Sequence, residues 1–200
     1  MNRPRLPALA LALALISTAA GAASAPQPLT PQPSPQTLKD GLAVRYYLSR
    51  FDHVDQLAAF IGSQPGKEGA PLPNLDAVMG PGNVLGTTSG DFVGARISGL
   101  IAFERPGTYS LQVTSNDGVR LILGGVMLFE DPEPHPDSVS PPLAVEITSP
   151  GFYPLDILYY EKKGTATLKL EWQPPGTDAF VVVPPSAFRH LPAGAAPPTK

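Results

Sequence analysis

The sequence predicts an all-β domain, an antiparallel β-sandwich or barrel-like fold, and three observations carry that expectation. Apolar residues recur at every second position through most of the central region, the period of a half-buried strand rather than of a helix. The chain holds 26 Pro and 19 Gly in 200 residues, a composition suited to many short strands and turns. Turn-forming groups stand where the alternating runs stop: Pro106-Gly107, Asn116-Asp117-Gly118, Gly124-Gly125, Pro150-Gly151 and Gly164.

The N-terminal segment stands apart from these runs. Arg3 and Arg5 make a basic start, Leu9 to Ile16 an apolar run, and small residues follow, which is the plan of a secretory signal peptide. Ala20-Gly21-Ala22 offers small residues at the positions a signal peptidase reads, so residues 1–22 are expected to be removed and Ala23 to begin the mature chain. The apolar run is shorter than the roughly 20 residues that cross a bilayer, and no membrane span is expected in the mature form. From Ala25 to Gln36, Pro alternates with Gln, Ser and Thr. Such a stretch builds no core, and residues 23–37 read as an extended Pro-rich spacer. The end of the chain is similar, which leaves residues 38–191 for one folded domain and 192–200 for a flexible tail. Cysteine is absent, so the domain must hold together by burial, without disulfides and without a lipid on an N-terminal Cys. These features predict a secreted or periplasmic protein.

Within the folded region, Val54 to Ile61 is the one helix-like stretch, with Asp52 or a neighbouring polar residue placed to cap it. Gly62 to Gly90 reads as a long loop. Val93, Ala95, Ile97, Ile101 and Phe103 share a parity opposite to Gly94, Arg96 and Ser98, predicting a long half-buried strand. Tyr109, Leu111 and Val113 alternate with Ser110, Gln112 and Thr114, and Val119, Leu121 and Leu123 resume the pattern after Asn116-Asp117-Gly118. That pair of runs reads as a hairpin. Leu143, Val145 and Ile147 form a further strand, and Phe152 to Tyr160, apolar on both parities, reads as one covered on both faces. The cleanest alternation sets Ala166, Leu168, Leu170 and Trp172 against Thr165, Thr167, Lys169 and Glu171. Trp172 thereby belongs to the core and not to a ligand platform.

Several function classes lose support at this level. Net charge is −3 and no run of Lys and Arg occurs, which argues against a nucleic-acid partner. No G-x-S-x-G elbow, H-E-x-x-H, P-loop or dinucleotide fingerprint is present, and His53, His135 and His190 lie far apart. Catalysis is therefore not expected. The segment Ser115-Asn116-Asp117-Gly118-Val119-Arg120-Leu121 has the most local content. As structure, Asp-Gly between alternating strands is a hairpin turn; as chemistry, adjacent Asn and Asp oxygens at a loop tip can bind Ca²⁺ or sugar hydroxyls. Glu130 to Asp137 packs acids and a His between prolines, a stiff solvated loop or a place for a cation.

In their order, these segments resemble the protective-antigen-type (PA-14) domain family, named after the anthrax-toxin component and found in glycosidases, yeast adhesins and bacterial surface proteins. The pieces are Gly41-Leu42-x-x-x-Tyr46-Tyr47, Arg96-x-x-Gly99, Gly107-x-Tyr109 and the Ser115 to Leu121 segment. Gly151-x-Tyr153-Pro154-Leu155, Tyr159-Tyr160, Gly164-x-Ala166-x-Leu168-x-Leu170-x-Trp172 and Val183-Pro184 follow, so the resemblance covers about Gly41 to Leu191. It implies a non-catalytic sandwich module that binds carbohydrate in several members. A glycan or cell-surface polysaccharide is then the leading partner, with other envelope proteins as the alternative. The candidate ligand-binding residues are Asn116, Asp117, Gly118 and Arg120. In the adhesin branch two adjacent aspartates hold a Ca²⁺ that coordinates sugar hydroxyls, and the pair falls here on Asn116 and Asp117. Asn in the first place keeps an oxygen but loses a charge, on which Ca²⁺ affinity depends. Gly124-Gly125 stands where the family often has Asp-Gly.

Overall fold

The computed structural model describes residues 25–192. The expected signal peptide, its cleavage point before Ala23 and residues 193–200 of the tail lie outside the described residues. The first half contains β1 (Lys39–Asp40), β2 (Ala43–Leu48), α1 (Val54–Ser63), β3 (Lys67–Glu68), β4 (Asp76–Gly80), β5 (Val93–Phe103) and β6 (Gly107–Asn116). The second contains β7 (Val119–Leu123), β8 (Val126–Asp131), β9 (Ser138–Val139), β10 (Leu143–Ile147), β11 (Gly151–Glu161), β12 (Ala166–Gln173), β13 (Val181–Val182) and β14 (Phe188–His190).

Two antiparallel sheets face each other. The eight-stranded sheet runs β1-β14-β5-β11-β7-β8, with β2 also on β5 and β3 on β2. The six-stranded sheet runs β10-β6-β12-β13, with β4 on β12 and β9 on β6. The long strands β5 and β11 pair along their whole length, from Gly151↔Phe103 to Glu161↔Val93. Their inward residues meet those of β6 and β12 in one core, as the sequence parity requires. Phe103 sits at its aromatic centre, edge-on to Tyr109 at 4.7 Å and to Tyr153 at 5.2 Å between ring centroids, with Trp172 at 5.9 Å. Such pairs add about 0.5–1.5 kcal/mol each beyond their burial. Trp172 is 9 % exposed, in the core as its parity demands.

Four features differ from the sequence expectations. The segment 62–90 is not one loop, since β3 and β4 lie within it; both are short, lack alternation, and are held by their partners β2 and β12. The runs on either side of Asn116-Asp117-Gly118 are no hairpin: β6 belongs to the small sheet and β7 to the large one. Parity reports which face is buried, and the inner faces of both sheets look into the same core, so the alternation continues unbroken across the crossing. Strand β11 alternates regularly up to Tyr159, and its outer face is covered only at the ends. At one end α1 packs Val54 and Leu57 with Phe51 and Tyr160; of the polar residues placed to cap this helix it is His53 that does so, its Nδ1 accepting from the Asp55 amide at 3.1 Å. At the other end lies the Pro-rich segment expected to be a free spacer. Its Gln27 amide donates to the Gly124 carbonyl at 3.0 Å and its Leu29 amide to the Phe152 carbonyl at 2.8 Å, while Gln32 Oε1 accepts from the Phe152 amide at 2.7 Å. Unpaired main-chain groups at that sheet end bind an extended chain irrespective of its side chains, a force that composition does not report. Among the described residues no helix is long and apolar enough to cross a membrane.

Candidate functional site

The corner where β6 crosses to β7 is held by a cluster of side-chain hydrogen bonds. The Asn116–Asp117 peptide is cis. Both residues are 6 % exposed, so they do not stand at a loop tip. Asp117 Oδ1 accepts from the His135 amide at 3.1 Å, and Oδ2 from the Lys162 amide at 2.7 Å. The Asn116 Nδ2 group donates to Asp137 Oδ1 and to Thr165 Oγ1, each at 3.0 Å. Each side chain thus joins the loop after β8 to the loop after β11. Two buried phenols brace the same corner. Tyr159 donates to the Asn116 carbonyl at 2.6 Å and Tyr160 to the Pro132 carbonyl at 3.0 Å; desolvation pushes both hydroxyls above their ordinary pKa. Gly118 is needed for packing, because a Cβ there would lie 2.5 Å from Tyr160 Cε1 and 3.0 Å from the Pro132 carbonyl oxygen.

Arg120 is spent on structure. Its guanidinium pairs with Glu130 across the β7–β8 ladder and with Asp55 of α1 at 2.6 Å. The Glu130 bond is the largest cause raising its pKa, and Arg120 in turn holds Asp55 below the usual carboxylate range. Behind the corner, Glu161 is wholly buried, with neither carboxylate oxygen hydrogen-bonded. Desolvation first, then repulsion from Asp91 and Asp117, raise its pKa to about 7. The exposed residues of the loops around this buried network include Asp137, Thr165 and Phe92, with Asp91 half-buried. Asp91 Oδ1 accepts from the Gly164 amide at 3.0 Å. A carboxylate and a hydroxyl locked by one buried amide form a fixed set of polar groups of the kind that reads hydroxyl-rich ligands. The sequence singled out Asn116 and Asp117, and separately the acid-and-proline run that ends at Asp137, but did not join that run or Thr165 to the pair, because those contacts span 21 and 49 residues.

The family model of the PA14 domain matches residues 38–185, well over half of the chain. The chain belongs to the PA14 domain family. Solved PA14 structures share its fold. The PA14 domain of the antifreeze protein MpAFP superposes with a TM-score of 0.64 at 18 % identity, covering 79 % of this chain and 94 % of that one. A PA14 sugar-binding domain from an RTX adhesin gives 0.61 at 20 %, covering 76 % and 98 %. The epithelial adhesin 9 A domain of Candida glabrata, in complex with Galβ1-4GlcNAc, gives 0.62 at 13 %, covering 84 % and 97 %. No curated protein matches the sequence.

The calcium that the adhesin branch implies fits poorly in this PA14 domain. Ca²⁺ takes about six to eight oxygen ligands. Here the pair supplies one carboxylate, both of whose oxygens already hold main-chain amides. Among the described residues no three His, Asp or Glu side chains converge with metal-ligand spacing. Asp117 instead serves as a clasp that binds two loops to the crossing, a task for which its charge is suited because ionised acceptors make the stronger hydrogen bonds.

Proposed function

We propose that this protein is an exported, non-catalytic module that binds glycans at the cell envelope or outside the cell, through the corner built on Asn116 and Asp117. The observation that carries the reading is the rim of Asp137 and Thr165, fixed from beneath by the Asn116 amide. Membership of the PA14 family supports it, as do the adhesin neighbours described as sugar-binding or solved with a galactosyl disaccharide. Asn116 and Asp117 act as positioning residues, Gly118 permits the crossing, Arg120 anchors α1, and Asp137 and Thr165 meet the sugar hydroxyls. The arrangement needs no resident metal. The signal-peptide features of residues 1–22 support export, and intact mass of the secreted protein should begin at Ala23; a mass retaining Met1 overturns that part.

The deciding experiment is a glycan array probed with the mature protein in calcium and in chelator. Binding that survives chelation and is lost in Asn116→Ala is the expected result, and an array without any hit overturns the reading. A second reading, a docking module for another envelope protein, is favoured by one feature. An apolar groove of about 510 Å³ crosses the outer face of the large sheet between Leu29, Leu100, Ile122 and Pro154, over the Arg96–Asp156 ion pair. Retention in washed envelopes that free sugar does not release would support it.

A further inference from the structure

Residues 89–92 lead into β5 along a costly route. Phe92 has a φ of 59°, in the left-handed region that side chains disfavour and glycine enters freely. Core burial does not account for it: Phe92 is 40 % exposed and stands outside both core clusters. Nor does hydrogen bonding demand an aromatic residue. The Phe92 amide donates to the Lys162 carbonyl at 3.3 Å, the Ser89 hydroxyl to the Asp91 carbonyl at 2.8 Å, and the Gly164 amide to Asp91 Oδ1 at 3.0 Å. Glycine at position 92 would keep all three. The first and last of these bonds stitch the loop to residues 162–165, where Lys162 holds Asp117 and Thr165 meets Asn116. A strained, solvent-facing ring is thus held beside the polar rim, and strained backbone held in place by its surroundings collects at ligand sites.

We infer that Phe92 is the aromatic platform of the carbohydrate site, its ring stacking on the C–H face of a hexopyranose whose hydroxyls meet Asp91, Thr165 and Asp137. The inference rests on the glycan-binding reading above. A pyranose presents C–H bonds on its faces and hydroxyls around its edge. An exposed ring flanked by fixed oxygen acceptors matches both chemistries.

The test uses the full mature chain as wild type, Phe92→Gly, Phe92→Tyr and Asn116→Ala. The probe is a printed panel of galactose-, glucose-, mannose- and fucose-terminated oligosaccharides, followed by titration of the strongest. Phe92→Gly should weaken binding about tenfold while its melting temperature stays at or above that of wild type, because glycine accepts the positive φ. Phe92→Tyr should bind as wild type does. Wild-type affinity in Phe92→Gly, with binding lost in Asn116→Ala, overturns the platform and leaves the glycan reading standing. A fall in both affinity and melting temperature in Phe92→Gly makes the ring structural and also overturns it. If wild type binds no sugar on the panel, both fall together.

Discussion

Glu161 gives this fold a pH dependence of predictable sign. It ends β11 fully buried with both carboxylate oxygens unpartnered, and burial, helped by Asp91 and Asp117, lifts its pKa from 4.5 to about 7. Between those values the folded protein retains a proton that the unfolded chain has released. Stability is therefore full below about 4.5, falls as pH rises through the window, and levels off above about 7. One pKa unit corresponds to about 1.4 kcal/mol, so about 3 kcal/mol is withdrawn across it. Glu161→Gln keeps the side-chain shape and has no proton to release. Urea unfolding at pH 4.5 and pH 8, followed by the fluorescence of Trp172, the single tryptophan, measures the difference directly. Relative to wild type, the variant should gain about 3 kcal/mol on going to the higher pH, or roughly 10 °C in melting temperature. Parallel pH profiles for the two proteins would refute the reasoning and mean that Glu161 finds partners or solvent in solution.

Other perturbations follow from the same geometry. Trp172→Ala should cost about 3–5 kcal/mol, the loss expected for a large buried aromatic, and an unchanged unfolding midpoint would put the indole at the surface. Asp117→Asn replaces one acceptor by a donor facing a main-chain amide. It should destabilise by about 1–3 kcal/mol and speed hydrogen exchange at the His135 or Lys162 amide, so unaltered protection at both sites would contradict the clasp. Gly118→Ala forces Tyr160 or the Pro132 carbonyl to move and should cost about 1–3 kcal/mol in a thermal melt. A wild-type melting temperature would show that the crossing is slack.

Much of this architecture was legible in the chain alone, because side-chain parity is local. Successive residues of a strand point to opposite faces whatever lies beside it, so the alternation in Val93–Phe103 and Ala166–Trp172 identified both the strands and their buried faces. The ordered short segments from Gly41 to Val183-Pro184 carried the family for a related reason, since turns and packing glycines impose residue types position by position. Partnership between strands is not local. The tertiary structure alone decided that Asn116-Asp117-Gly118 crosses between sheets, for a period of two continues equally well through a hairpin and through a crossing whose two strands share one core. It also decided the chemistry of the corner. Asn116 meets Asp137 and Thr165, 21 and 49 residues further along the chain. Glu161 and the Pro-rich segment make the same point from opposite sides. The Glu161 carboxylate is fully buried at the end of β11, a placement that its charge does not announce, and the segment without a core of its own is held by main-chain groups that the folded sheet leaves unpaired.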